Sequence, residues 1–253
     1  MLYYQYDKSF EGFLTCIFDA YNRKELPCRM VDTNEAVPLF TDTHEVVTDT
    51  GKAGRVLQGL RKRISKSALN MLFICYLSEM PDIELRLFRY IQKSLTSSAG
   101  IEVNFADDDV LFLSKIYKKV QSEINRIKQF VRFQKTTDGM YFAVIAPLYN
   151  VLPLCSDFFQ DRYADQQWII YDSRRNFGLF YDLKKTELIW FDNPLPALQT
   201  GNLAPEQQDD CEKTFQNVWK DYLKATTIQE RKNLKLQRRF MPQRFWEYLV
   251  EKR

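Results

Sequence analysis

The sequence predicts an α+β fold: an antiparallel sheet of about five or six strands, a helical middle region and a helical C-terminal segment. Three observations carry this. Apolar residues recur at three- and four-residue spacing through about 50–125, the helical period. TTDG, at 136–139, separates two β-rich runs, and Asp-Gly tolerates the positive φ of a hairpin turn. WIIYD, NFGLFYD and TELIWF then follow as three short β-rich segments joined by the turns SRRN and LKKT.

The chain has 253 residues, enough to bury a sizeable core. We expect a single α+β domain over 1–253, with a helical subregion at about 50–125, a sheet region at about 126–192 and a basic helical tail at about 210–253. LYYQY reads as an opening strand and SFEGFLTCIFDAYNRK as an amphipathic helix capped by Asp7 or Ser9. Residues 25–50 read as loop with one short strand near MVDT or AVPLF. Pro81 suits the first turn of a helix running to Leu95. Asp107–Asp109 cap the next helix, whose buried stripe is Val110, Leu113, Tyr117, Val120, Ile124 and Ile127. QFVRFQK reads as a strand with Arg132 facing away from its apolar neighbours. LYNVLPLCSDFFQDRYA is a helical block between the two sets of strands, and residues 193–209 are a connector. In the tail, Phe215, Val218, Trp219 and Tyr222 form one apolar face, and Phe240, Phe245, Trp246 and Leu249 form another.

Several chemistries are excluded. The five cysteines are isolated, without CxxC spacing, so a disulfide framework is not expected and a reducing cytoplasm is. His44 is the only histidine, which rules out a multi-histidine metal site. It sits in a stretch reading as loop or helix start. No GxGxxG or GxxxxGK[ST] loop occurs, no apolar run has membrane-spanning length, and the N-terminus has no secretory-signal pattern. No cofactor and no metal site is predicted. Asp172 and Asp182, at strand ends beside SRRN and LKKT, are the better-placed carboxylates for acid–base work, and Asp172, beside Arg174 and Arg175, is the candidate taken forward. It is also a natural turn former with an ion pair.

Charge is asymmetric. Residues 213–253 hold eleven basic and four acidic residues, a net +7, while the first 212 carry −4. In RKNLKLQRRFMPQRFWEYL, basic residues are interleaved with Phe240, Phe245, Trp246 and Tyr248. Arginine suits phosphates and aromatic rings suit unpaired bases. The same pattern fits a tail that docks its rings on the core and leaves its arginines in water.

Three blocks together resemble a bacterial family of DNA-metabolism or DNA-repair proteins: YQYDKSFEGFLTCIFDAYNRK, NRIKQFVRF…VLPLCSDFFQDRYADQQWIIYDSRRNFGLFYD and RKNLKLQRRFMPQRFWEYL. Its defining region is a domain of unknown function, also found fused to uracil-DNA glycosylase. Stand-alone members accompany a radical-SAM protein of DNA modification or repair. The resemblance implies a DNA-binding accessory protein working with such a partner enzyme, away from membranes. Many members have histidine where this chain has Asn125, so a catalytic histidine does not carry over. Arg126, Arg132, Arg174, Arg175, Arg238, Arg239 and Arg244 fall in the matching blocks and are the candidate nucleic-acid contacts. Two alternatives stay open: an enzyme acting on a base or nucleotide through an Asp, and a protein-interaction scaffold without DNA affinity.

Overall fold

A computed structural model describes residues 1–97, 100–191 and 203–252. The chain divides into two compact units, Met1–Val120 and Gln121–Arg253.

The first unit opens with strand β1 (Leu2–Tyr6), helix α1 (Phe10–Arg23) and strand β2 (Arg29–Asp32). Ser9 caps α1 by accepting the Gly12 N–H, and Lys24, at φ 57°, closes its C-terminal end. A helix between paired strands returns the chain parallel. β2 accordingly pairs parallel with β1, as does strand β3 (Asp42–Glu45), in the order β2-β1-β3. Residues 25–50 thus hold two short strands, and His44 lies on the second.

Helices α2 (Thr50–Arg61), α3 (Lys66–Tyr76) and α4 (Ile83–Thr96) follow. Pro81 precedes α4 in a turn instead of entering its first turn. The unit's core holds Tyr4, Tyr6, Phe13, Ile17, Leu60, Leu72 and Leu87. Helix α5 (Asp108–Phe130) begins here and the unit boundary falls within it. Only Asp107 of the acidic triplet caps it, accepting the N–H groups of Asp109 and Val110. Asp109 is buried and bound instead by Arg86 (2.8 Å), Lys93 (3.0 Å) and Arg89 (3.2 Å).

The second unit holds a five-stranded sheet in the order β4-β5-β6-β7-β8. Its strands are β4 (Gln134–Lys135), β5 (Tyr141–Ile145), β6 (Trp168–Asp172), β7 (Phe177–Tyr181) and β8 (Thr186–Trp190). The Asp-Gly hairpin joins β4 to β5, with Gly139 at φ 86°. The expected antiparallel sheet is corrected in two ways. β5 and β6 are parallel, with Ala143 opposite Ile170, so the sheet is mixed. β1, a candidate sixth strand, belongs to the separate parallel sheet. The reason for the first lies in the helical block at 148–164, which contains helix α6 (Ser156–Arg162). Such a connection brings the chain back to run alongside β5 in the same direction. QFVRF is not a strand either, because α5 continues through Phe130 on its own 3–4 spacing.

Trp168, fully buried, stacks on Tyr181 at 5.4 Å and meets Phe159 edge-on at 6.1 Å. Beyond the sheet come helices α7 (Glu212–Thr226) and α8 (Leu234–Phe240), then two 3-10 turns over 243–252. The connector at 193–209 lies mostly outside the described residues.

Gly12, in α1, is closely approached by the side chains of Asp7, Thr48 and Ser9. A Cβ there would collide with Asp7 and stand 2.7 Å from Thr48 Oγ1. Gly12→Ala should therefore destabilise the protein by about 1–3 kcal/mol despite the better helix propensity of alanine. Thermal or urea unfolding reads this.

Burial alone would raise the Asp109 carboxyl, but the bonds from Arg89, Arg86 and Lys93 overcome it and hold the group down at about 2. A depressed carboxyl stabilises the fold above its unfolded value, and that contribution is lost as pH falls through about 2. Asp109→Asn should cost about 1–2 kcal/mol at pH 6. The gap from wild type should close between about pH 4 and pH 2, read from urea midpoints across pH.

Candidate nucleic-acid interface

The basic residues of the second unit are organised by two buried carboxylates. Glu123 lies on α5 three residues after Val120 and four before Ile127, so the apolar stripe carries it inward. Its side chain is 1% exposed. One oxygen accepts the Leu148 N–H at 2.9 Å. The other pairs with Arg244 and lies 3.5 Å from Arg126. The Arg244 guanidinium also lies 4.4 Å from the Phe245 ring centre. Burial, with Glu123 adding to it, pushes the neighbouring Tyr149 hydroxyl up.

The second carboxylate is Asp172, at the end of β6 and fully buried. One oxygen accepts the backbone N–H groups of Arg174 (2.9 Å) and Arg175 (3.3 Å). The other accepts Arg175 Nη1 at 3.0 Å. Asn176, at φ 56°, completes the turn into β7. Burial raises the Asp172 carboxyl against the pull of Arg175. The group has the raised affinity expected of a general base, but no exposed surface through which to meet a substrate. Its geometry is that of a turn former with an ion pair.

Both clusters close on one stretch of backbone. Arg174 and Arg175 donate to the Pro147 carbonyl at 3.4 and 3.2 Å, and Arg175 also reaches the Leu148 carbonyl at 3.3 Å. Leu148 thus gives its N–H to Glu123 and its carbonyl to Arg175. Four of the seven candidate arginines, Arg126, Arg174, Arg175 and Arg244, meet around this peptide.

Arg132 lies apart from these four, in the segment between α5 and β4. It pairs with Glu251 at 2.7 Å and lies 5.7 Å from the Trp219 ring centre. Burial would raise Glu251, but the bonds from Arg132 and from Trp219 hold it below the usual carboxylate range. Arg238 and Arg239, on α8, are exposed, as are Arg231, Lys232 and Lys235 just before them. None of these five has a carboxylate partner among the described residues. Of the expected apolar faces, Phe245 and Leu249 are buried, while Phe215, Val218, Tyr222 and Phe240 are exposed.

A family model described as a domain of unknown function, DUF4130, matches residues 81–251. The chain belongs to this family. No curated protein and no solved structure matches it. The DUF4130 region takes in all seven arginines, both buried carboxylates and the exposed basic segment. His44 lies outside it, its Nε2 3.2 Å from Asp19, which also binds Lys52 at 2.8 Å. Among the described residues, no group of three or more His, Cys, Asp and Glu side chains is placed to hold a metal ion. No described helix is long and apolar enough to cross a membrane.

Glu123 escapes sequence reading, although its place on the stripe at i+3 from Val120 is an available signal. Glu123→Ala should leave two arginines and the Leu148 N–H without their acceptor. Both guanidiniums are partly solvated, so the expected loss is about 2–4 kcal/mol, at or below the range for breaking buried pairs. Urea unfolding of the whole chain measures it.

Proposed function

We propose that this protein is a DNA-binding accessory protein in DNA repair or modification, acting beside a partner enzyme. The observation that carries the reading is the segment from Arg231 to Arg239. Its five cations, Arg231, Lys232, Lys235, Arg238 and Arg239, are exposed and have no carboxylate partner among the described residues. Such cations gain most from phosphates, because binding releases the counterions condensed on DNA. Arg126, Arg175 and Arg244 already have part of their charge met by Glu123 and Asp172, so they hold the fold in shape and contribute less to affinity. Phosphate contact of this sort gives salt-sensitive binding with little choice of sequence. The resemblance of the three sequence blocks supports the partner: a radical-SAM DNA modification or repair protein, or a uracil-DNA glycosylase. The burial of Asp172 does not favour an enzyme built on that residue.

The test is a salt series with single- and double-stranded DNA. Binding should weaken steeply with salt, and removing Arg238 and Arg239 together should flatten the duplex slope by about 1.8, at about 0.9 for each phosphate left without its arginine. Affinity no higher than that of an unrelated protein of equal charge would reject the reading. Release of product from uracil-containing DNA, abolished in Asp172→Asn, would replace it with an enzymatic one.

A further inference from the structure

Phe215, Val218, Trp219 and Tyr222 recur on α7 at the spacing by which a helix normally seats itself on a core. Here the stripe faces outward: Phe215 is 66% exposed and Tyr222 57%. The residue of α7 that is buried is polar. Glu212 accepts the Lys135 N–H at 3.0 Å and ties the helix start to β4. Part of the stripe is already ordered as a stack. The Tyr222 ring lies on Trp219 with centroids 5.7 Å apart and planes 24° from parallel. Trp219 is fixed by its N–H to Glu251 at 3.1 Å and by the Arg132 guanidinium over its ring. Tyr222 leaves ring surface open to solvent.

We propose that the Trp219–Tyr222 stack receives an unpaired base of single-stranded DNA, with Arg231, Lys232 and Lys235 meeting the adjoining phosphates. This rests on the DNA-binding reading above and narrows it to one strand state. A ring held in place loses little freedom when a base stacks on it, and every base offers a π-face. In a duplex those faces are covered by neighbouring base pairs, so the rings add nothing there. The chain that follows the stack agrees in charge, since from Thr227 to Phe240 Glu230 is the sole acidic residue against five basic ones. A groove on an acidic protein would use the same cations, but it would not call for a pre-stacked ring pair anchored through Glu251.

Affinity for an oligo-dT of about 15 nucleotides and for a duplex of equal length tests this in the full chain. Tyr222→Ala should weaken dT binding about tenfold and leave the duplex unchanged. Tyr222→Phe should retain the wild-type preference. The side chain is exposed, so folding is not at issue. Equal dT affinity in Tyr222→Ala and wild type overturns the proposal while leaving the DNA reading intact, as does an equal loss on the duplex. Failure to bind either nucleic acid overturns both. If dT affinity is unchanged but Tyr222→Ala dissolves a self-associated species seen by light scattering, the stripe is a protein-docking face and the proposal is wrong.

Discussion

The second unit depends on how the backbone of Leu148 is held. Its N–H goes to Glu123 on α5 and its carbonyl to Arg175 in the turn after β6. A long helix, a turn of the sheet and the chain leaving β5 are thereby fixed to one another through a single residue. Arg244 joins the same point from the C-terminal segment through Glu123. A buried carboxylate is costly unless its lone pairs are met. Glu123 and Asp172 are each met several times over, by guanidinium groups and backbone N–H groups together. The arrangement specifies where the loop after β5 lies, which apolar packing alone would leave less defined.

Much of this is legible in the sequence. The Asp-Gly hairpin, the three later strands, the opening β–α unit and the stripe along α5, where Ile116 rather than Tyr117 is the buried residue, all follow from period and turn chemistry. What sequence reading misplaces is pairing. A strand's neighbours are set by the path of its connection, and the 22 residues between β5 and β6 needed to be read as a crossover. The QFVRF segment shows a different limit. Val131 and Phe133 alternate like a strand, while Ile127 and Phe130 keep helical spacing, and both patterns fit the same few residues. The helix wins because its buried stripe continues to Phe130.

The candidate site is legible by residue type but not by role. Seven arginines stand out in the sequence, and type alone cannot separate those that hold the fold from those left free for a ligand. That difference depends on distant acids: Glu123 meets Arg244 across 121 positions and Glu251 meets Arg132 across 119. Asp172 is the exception, because its turn partners are local and the turn-former reading is available from SRRN itself. The tail likewise reads as one docking element with two apolar faces, yet it behaves as two parts. Phe245, Tyr248, Leu249 and Val250 enter the core, while the stripe of α7 stays outside.

That division carries the functional argument. A guanidinium bound to a buried carboxylate has part of its charge neutralised in place, and moving it to a phosphate would strand the carboxylate at a cost of several kcal/mol. An exposed guanidinium without such a partner carries no equivalent penalty. Of the seven candidate arginines, Arg238 and Arg239, with the exposed cations just before them, are therefore the ones free to contribute to a polyanion contact, although the arginines around Leu148 are equally basic by composition. Arg132 belongs to neither set: it pairs with Glu251 and at the same time lies over the Trp219 ring. Through that residue the segment leading into β4 holds Trp219, on which Tyr222 stacks, so a ligand stacking there would find its platform already formed.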